Sequence, residues 1–155
     1  YNFVATIKLG FKPTTKYKGE RTGLVVMWFS YAGLVLENTN DGIVLSQLEC
    51  KNADKGTAEQ INETTKLKNG AIYLRVEFKA GKKKLKESEG GSDVLAMCKF
   101  SYSLDGKKFK SMGNEFQAKE GMWIGTKVGT FCTRPAITIN DGGWSEVDWF
   151  RITKK

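Results

Sequence analysis

The stretch from Gly19 to Glu37, GERTGLVVMWFSYAGLVLE, restricts the fold more than any other part of the chain. It holds two apolar runs rich in Val, Leu, Phe and Trp, divided only by Ser30, Tyr31, Ala32 and Gly33, with no proline and no helical period. Such runs predict neighbouring β-strands near the middle of a sheet. The remaining segments are placed against them.

Phe3, Ala5, Ile7, Leu9 and Phe11 alternate with Asn2, Val4, Thr6, Lys8 and Gly10, which gives a first strand one apolar face until Pro13 ends it. Asn40-Asp41-Gly42 predicts a tight hairpin, because Asp-Gly supplies positive φ angles, and GIVLSQLECK is its second strand. The polar residues 52–65 read as an excursion or edge segment; the sequon Asn62-Glu63-Thr64 within them matters only in a eukaryotic secretory route. After Asn69-Gly70, Ile72, Leu74, Val76 and Phe78 oppose Tyr73, Arg75 and Glu77 in a half-buried strand. Residues 80–92 lose all periodicity and concentrate lysine, the composition of a mobile hairpin loop. FSYSLDGKKF forms a compact hairpin about Asp105-Gly106, and MWIGTKVGTFC and GWSEVDWFRIT complete the strands, the latter after Asp141-Gly142. Strands at short intervals with four Asx-Gly turns and no convincing helix predict an all-β fold, an antiparallel β-sandwich. With 155 residues, 40% of them hydrophobic, the chain can build one such domain over residues 1–155.

Composition removes several classes of function. The chain has no histidine, which excludes Ser-His-Asp and Cys-His machinery and any zinc site that relies on imidazole. Chemistry would fall to carboxylates. Cys50, Cys98 and Cys132 form no CxxC pair and lie within strand-like runs, so they read as small buried apolar residues. No run reaches the ~18 apolar residues of a membrane span, and the first residues lack the layout of a signal peptide. The chain begins at Tyr1 without Met and already alternates by Phe3, which reads as a piece of a longer polypeptide. A net charge of +8 and a pI near 9.4 would suit nucleic acid or an acidic polysaccharide such as glucuronate-decorated xylan. The lysines are spread apart from a cluster at 82–86, and no nucleic-acid motif accompanies them; a solvated surface, with neither nucleic acid nor membrane as partner, is the better account.

Taken together, GERTGLVVMWFSYAGLVLE, NADKG (52–56), FSYSLDGKKF, WIGTKVGTF and the closing VDWFRI resemble, in order and over nearly the whole chain, the C-terminal concanavalin A-like domain of glycoside hydrolase family 43. That family comprises β-xylosidases and α-L-arabinofuranosidases. The resemblance implies a concanavalin A-like sandwich of jelly-roll type, packed on a separate catalytic five-bladed propeller and classed as a xylan-binding carbohydrate-binding module. It implies no catalysis by this piece, and a location outside the cytoplasm, extracellular or periplasmic, where polysaccharide is met. The chain departs from the family in three ways. The family usually has strand sequence ahead of the position of Tyr1; the lysine-rich stretch 81–92 looks like an insertion; and Trp28 and Trp144 replace smaller or non-aromatic residues.

A sugar ring presents an apolar patch of axial C–H groups that stacks on aromatic faces, while carboxylates, amides and guanidinium groups bond its hydroxyls. Trp144, next to the turn 140–143 and with Glu146 on its strand face, is open to either ligand stacking or packing. Trp28 lies in a run that is apolar on both faces, which favours the core. Tyr31 at the strand junction and Tyr17 in its loop are expected at the surface. Glu20 and Arg21 complete the candidates, the acid-Arg pair being retained in the family pattern. Trp123, Trp149 and Phe150 are assigned to the core, and Asp148 among apolar neighbours should meet Arg151, a backbone donor or a cation. No cofactor is expected; calcium, common in carbohydrate-binding sandwiches, finds no EF-hand-like spacing here. Two further readings stand beside the sugar-binding one: a hydrolase using carboxylates such as Glu20 and Glu146, and a structural domain packing on the propeller without a sugar site.

Overall fold

The strands run in chain order as β1 (Phe3–Lys12), β2 (Arg21–Met27), β3 (Tyr31–Thr39), β4 (Gly42–Cys50), β5 (Gln60–Lys66), β6 (Ile72–Lys82), β7 (Val94–Ser103), β8 (Lys110–Ser111), β9 (Phe116–Ala118), β10 (Lys127–Thr133) and β11 (Trp144–Lys154). The computed structural model describes residues 2–82, 94–118, 125–135 and 142–155. Two antiparallel sheets result. One has the order β11-β1-β6-β7-β8 with β9 also on β7, the other β10-β2-β3-β4-β5. The expected sandwich is therefore present, and the two runs of the Gly19–Glu37 stretch are adjacent strands inside the second sheet.

In β1 and β6 the inward residues are those the alternation selects. Ala5, Ile7, Leu9 and Phe11 of β1 and Ile72, Leu74, Val76 and Phe78 of β6 meet Leu24 and Val26 of β2 and Ala32, Leu34 and Leu36 of β3. Burying each such Leu, Ile or Val contributes roughly 1.5–3 kcal/mol, and this apolar layer holds the sheets together. Cys98 lies inside the layer, where burial pushes its thiol up to about 12. Gln47 is the polar exception at 0% exposure. Its Oε1 accepts from Asn62 Nδ2 at 2.8 Å and from the Asn114 backbone N–H at 3.2 Å, tying β4 to β5 and to the 112–114 turn.

Four local expectations change. The β3–β4 hairpin forms with Thr39 opposite Gly42, but only Gly42 takes positive φ (106°), so the turn needs a left-handed residue at its exit and not at Asp41. Cys132 is exposed, because β10 is an edge strand with solvent on its open side. Trp149 is half-buried on the outer face of the first sheet, and Phe150, on the core side of β11, is 39% exposed. The reason is a bulge. Between Lys8 and Leu9 the β1–β11 register shifts, leaving Asp148 without an opposite residue and turning Trp149 outward. Asp148 meets a cation as expected, but that cation is Lys8 and the pair is exposed. Trp123, the lysine-rich 83–93 and Asp141 lie outside the described residues.

Candidate functional site

On the outer face of the second sheet the register sets β10, β2, β3 and β4 side by side in rows: Lys127, Met27, Tyr31 and Cys50; Gly129, Val25, Gly33 and Leu48; Phe131, Gly23, Val35 and Ser46. Three glycines therefore stand where side chains would otherwise project. Gly23 and Gly33 cannot be otherwise, since a Cβ on either would collide with the backbone of the adjoining strand, at Leu34 and at Leu24 respectively. Gly129 faces open space. The missing side chains leave a hollow of about 270 Å³.

Its floor is apolar. Val35 and Leu48 are 2% and 3% exposed although they belong to an outer face. Met27 and Phe131 form walls, and Arg21, Tyr31 and Glu59 form a polar rim. The Tyr31 hydroxyl donates to Glu59 Oε1 at 2.6 Å, and Arg21 Nη2 donates to Glu59 Oε2 at 2.9 Å. Glu37 lies 3.7 Å from Arg21 Nε, which is buried and makes no hydrogen bond. Burial, followed by the Glu59 carboxylate, pushes the Tyr31 phenol well above its ordinary value, so it remains a neutral donor. The rim thus offers a guanidinium, a carboxylate and a hydroxyl around an apolar floor.

The seven candidate residues fall in five places. Arg21 and Tyr31 come together, joined by Glu59. Glu20 is 4% exposed, and its oxygens accept backbone hydrogens from Thr14 N at 2.6 Å and Gly143 N at 2.5 Å, clamping the ends of two connections. Trp144 and Glu146 share the outer face of β11, on the other sheet, where Trp144 is 49% exposed with Lys12 Nζ 4.8 Å from its ring centroid. Trp28, half-buried at the end of β2, packs its ring 5.0 Å from that of Phe29. Tyr17 is half-buried in its loop under Lys16 at 5.0 Å. Sequence reasoning missed Glu59 and Phe131. The available signal was glycine at 23 and 33 inside otherwise bulky strands, which marks a close backbone approach. Among the described residues no three of Cys, Asp and Glu converge as a metal-binding group, and no helix is long and apolar enough to cross a membrane.

Residues 1–153 match the family model described as the β-xylosidase C-terminal concanavalin A-like domain. No curated protein matches the chain. Among solved structures, 99% of the chain superposes on part of a bifunctional GH43-CE protein of Bacteroides eggerthii (TM-score 0.76, 18% identity, 18% of that chain). It likewise superposes on xylan β-1,4-xylosidase of Bacillus halodurans C-125 (0.70, 16%, 28% of that chain) and on the GH43 BlXynB protein of Bacillus licheniformis (0.66, 21%, 28%). The chain thus spans 18–28% of the length of these relatives, and at such identities the likeness is one of fold.

Proposed function

Because this chain belongs to the family of β-xylosidase C-terminal concanavalin A-like domains, we propose that it is the non-catalytic carbohydrate-binding module of a glycoside hydrolase of family 43. In this reading it is attached to a catalytic propeller and binds xylan or arabinoxylan outside the cytoplasm. The observation that carries the reading is the glycine-floored hollow, which sets Arg21, Tyr31 and Glu59 around an apolar floor. A xylose ring lies with its C–H face toward Val25, Leu48 and the Phe131 ring, and its hydroxyls meet the rim. Each stacked ring is worth about 1 kcal/mol beyond area burial, so the isolated domain binds weakly, and attachment to a catalytic domain raises the local substrate concentration.

Titration calorimetry with xylohexaose, and cellohexaose as control, tests the proposal. Saturable, xylose-selective heat that weakens at least tenfold in Tyr31→Ala and persists in Trp144→Ala supports the hollow. Loss in Trp144→Ala alone moves the site to β11. A second reading, a structural domain without a sugar site, is favoured by Val147, Phe150 and Ile152, which are 39%, 39% and 61% exposed on the core side of β11 and would suit an apolar neighbour. Silence toward every sugar from a folded domain selects that reading.

A further inference from the structure

The outer face of the first sheet holds a second hollow, of about 290 Å³, on the far side of the core from the one just described. Its rows are fixed by register: Trp149, Lys8 and Tyr73 in one, Arg151, Thr6 and Arg75 in the next. The turn after β7 closes it. Asp105 Oδ1 accepts from the backbone N–H groups of Lys107 and Lys108 at 2.8 and 2.9 Å and from the Ser103 hydroxyl at 2.8 Å, which folds the turn back over β6. Gly106, at φ 72°, then rests against the Tyr73 ring where a Cβ would strike it, and Phe109 lies with its ring centroid 3.4 Å from the Arg75 guanidinium.

Both arginines stack on aromatic rings, and Glu77 reaches Arg75 only through its longer-range field. Arg75 stacks on Phe109 and donates Nε to Thr6 Oγ1 at 3.1 Å; Arg151 lies 4.4 Å from the Trp149 ring centroid. Among the described residues no carboxylate forms an ion pair with either, although a guanidinium carries five donors. The acids nearby are engaged elsewhere. Asp148 pairs with Lys8, and Glu77, one row beyond Arg75, lies 2.7 Å from Lys155 Nζ and 3.6 Å from Lys79 Nζ. Glu146 stands beyond the other end, on β11 opposite Gly10.

We infer that this hollow binds a single uronic acid carried on an otherwise neutral glycan, the Arg75–Arg151 pair taking the carboxylate and Trp149 and Tyr73 taking the sugar ring. Guanidinium groups suit a carboxylate because they donate two parallel hydrogen bonds, and stacking on rings orients them before the ligand arrives. Asp148 and Glu77 are neutralised by lysines, so the carboxylate is read by the Arg75–Arg151 pair, which matches one isolated charge between neutral residues and not a negative charge on every unit, as in polygalacturonate or a nucleic acid. The inference rests on the reading of the chain as a glycan-binding module but uses different residues on a different sheet.

The test is titration of the whole 155-residue chain with a xylotetraose bearing one glucuronate, with unsubstituted xylotetraose, with trigalacturonate and with a short DNA duplex, each repeated on Arg151→Gln, Arg75→Gln and Tyr31→Ala. The acidic tetraose should bind about tenfold or more tighter than the neutral one, the order expected for charge-assisted hydrogen bonds. That preference should vanish in Arg151→Gln, an exposed position whose loss leaves the urea midpoint unchanged, and in Arg75→Gln, while surviving in Tyr31→Ala. Equal affinity for the two tetraoses, a preference that outlives Arg151→Gln, or trigalacturonate or DNA binding as tightly as the acidic tetraose overturns it. Neutral binding that is absent while the acidic preference remains would remove the hollow of the second sheet and leave this one standing.

Discussion

The two outer faces of the sandwich use the same materials, guanidinium groups beside aromatic rings over a shallow hollow, and close their charges in opposite ways. Around the glycine-floored hollow Arg21 is met by Glu59 and Glu37, so the rim carries its own counter-charge. Around the other hollow Arg75 and Arg151 lean on Phe109 and Trp149, and among the described residues neither makes an ion pair with a carboxylate. The contrast teaches that a count of positive residues, +8 here, says little about what a basic domain binds. What matters is whether each cation already has an acid within reach.

The comparison breaks most severely at Gly33. Gly33→Val drives a side chain into the Leu24 backbone and should lower stability by about 3 kcal/mol or more, read as a fall in urea midpoint, with both hollows lost together. A smaller effect is expected for Glu20→Ala, which strips the acceptor from the Thr14 and Gly143 N–H groups. Stability should fall by about 2 kcal/mol, the scale of hydrogen bonds to a charged group, while sugar affinities of the folded protein hold. Gly129→Trp separates the faces cleanly. Its Cβ meets nothing within 4 Å, so stability should stay within about 0.5 kcal/mol while the added ring fills the hollow of the second sheet and neutral xylo-oligosaccharide binding drops at least tenfold.

The smallest effect sharpens the other face. Backbone N–H groups of Lys108 and Lys107 and the Ser103 hydroxyl hold the Asp105 carboxyl down at about 2, below its ordinary 3.8. A depressed folded value means the stabilisation is complete above the unfolded value and is lost as pH falls from near 4 through about 2. Asp105→Asn should therefore flatten the slope of stability against pH within that window only, and denaturation between about pH 5 and 8 should change little with pH in either form.

Much of this architecture is legible in the sequence because a half-buried strand must alternate. β1 and β6 declare their inward residues one by one, whereas the β2–β3 pair, apolar on both faces, declares its place inside a sheet but not which side faces in. Alternation fails at β11, where the single unopposed Asp148 moves Phe150 to the side of Val147 and sends Trp149 outward. A bulge depends on the neighbouring strand's register, and no local pattern reports it. Covering is equally hidden: Cys132 sits in a run like those of Cys50 and Cys98, yet the edge position of β10 leaves it exposed. Of the site, Arg21 and Tyr31 were open to view, whereas Glu59 enters from a polar segment 28 residues beyond Tyr31 and only pairing of β4 with β5 brings it to the rim.

The two hollows open in opposite directions, with two stacked sheets about 10 Å apart between them. A polymer lying in one runs along the far side of the protein from the other, and a short oligosaccharide cannot occupy both. With both proposed ligands bound, one copy of this domain would be a two-headed clasp. Mixed with soluble glucuronoxylan it should then link separate chains and thicken or precipitate them at protein-to-chain ratios near equality, and a large excess of protein, capping each chain singly, should dissolve the network again.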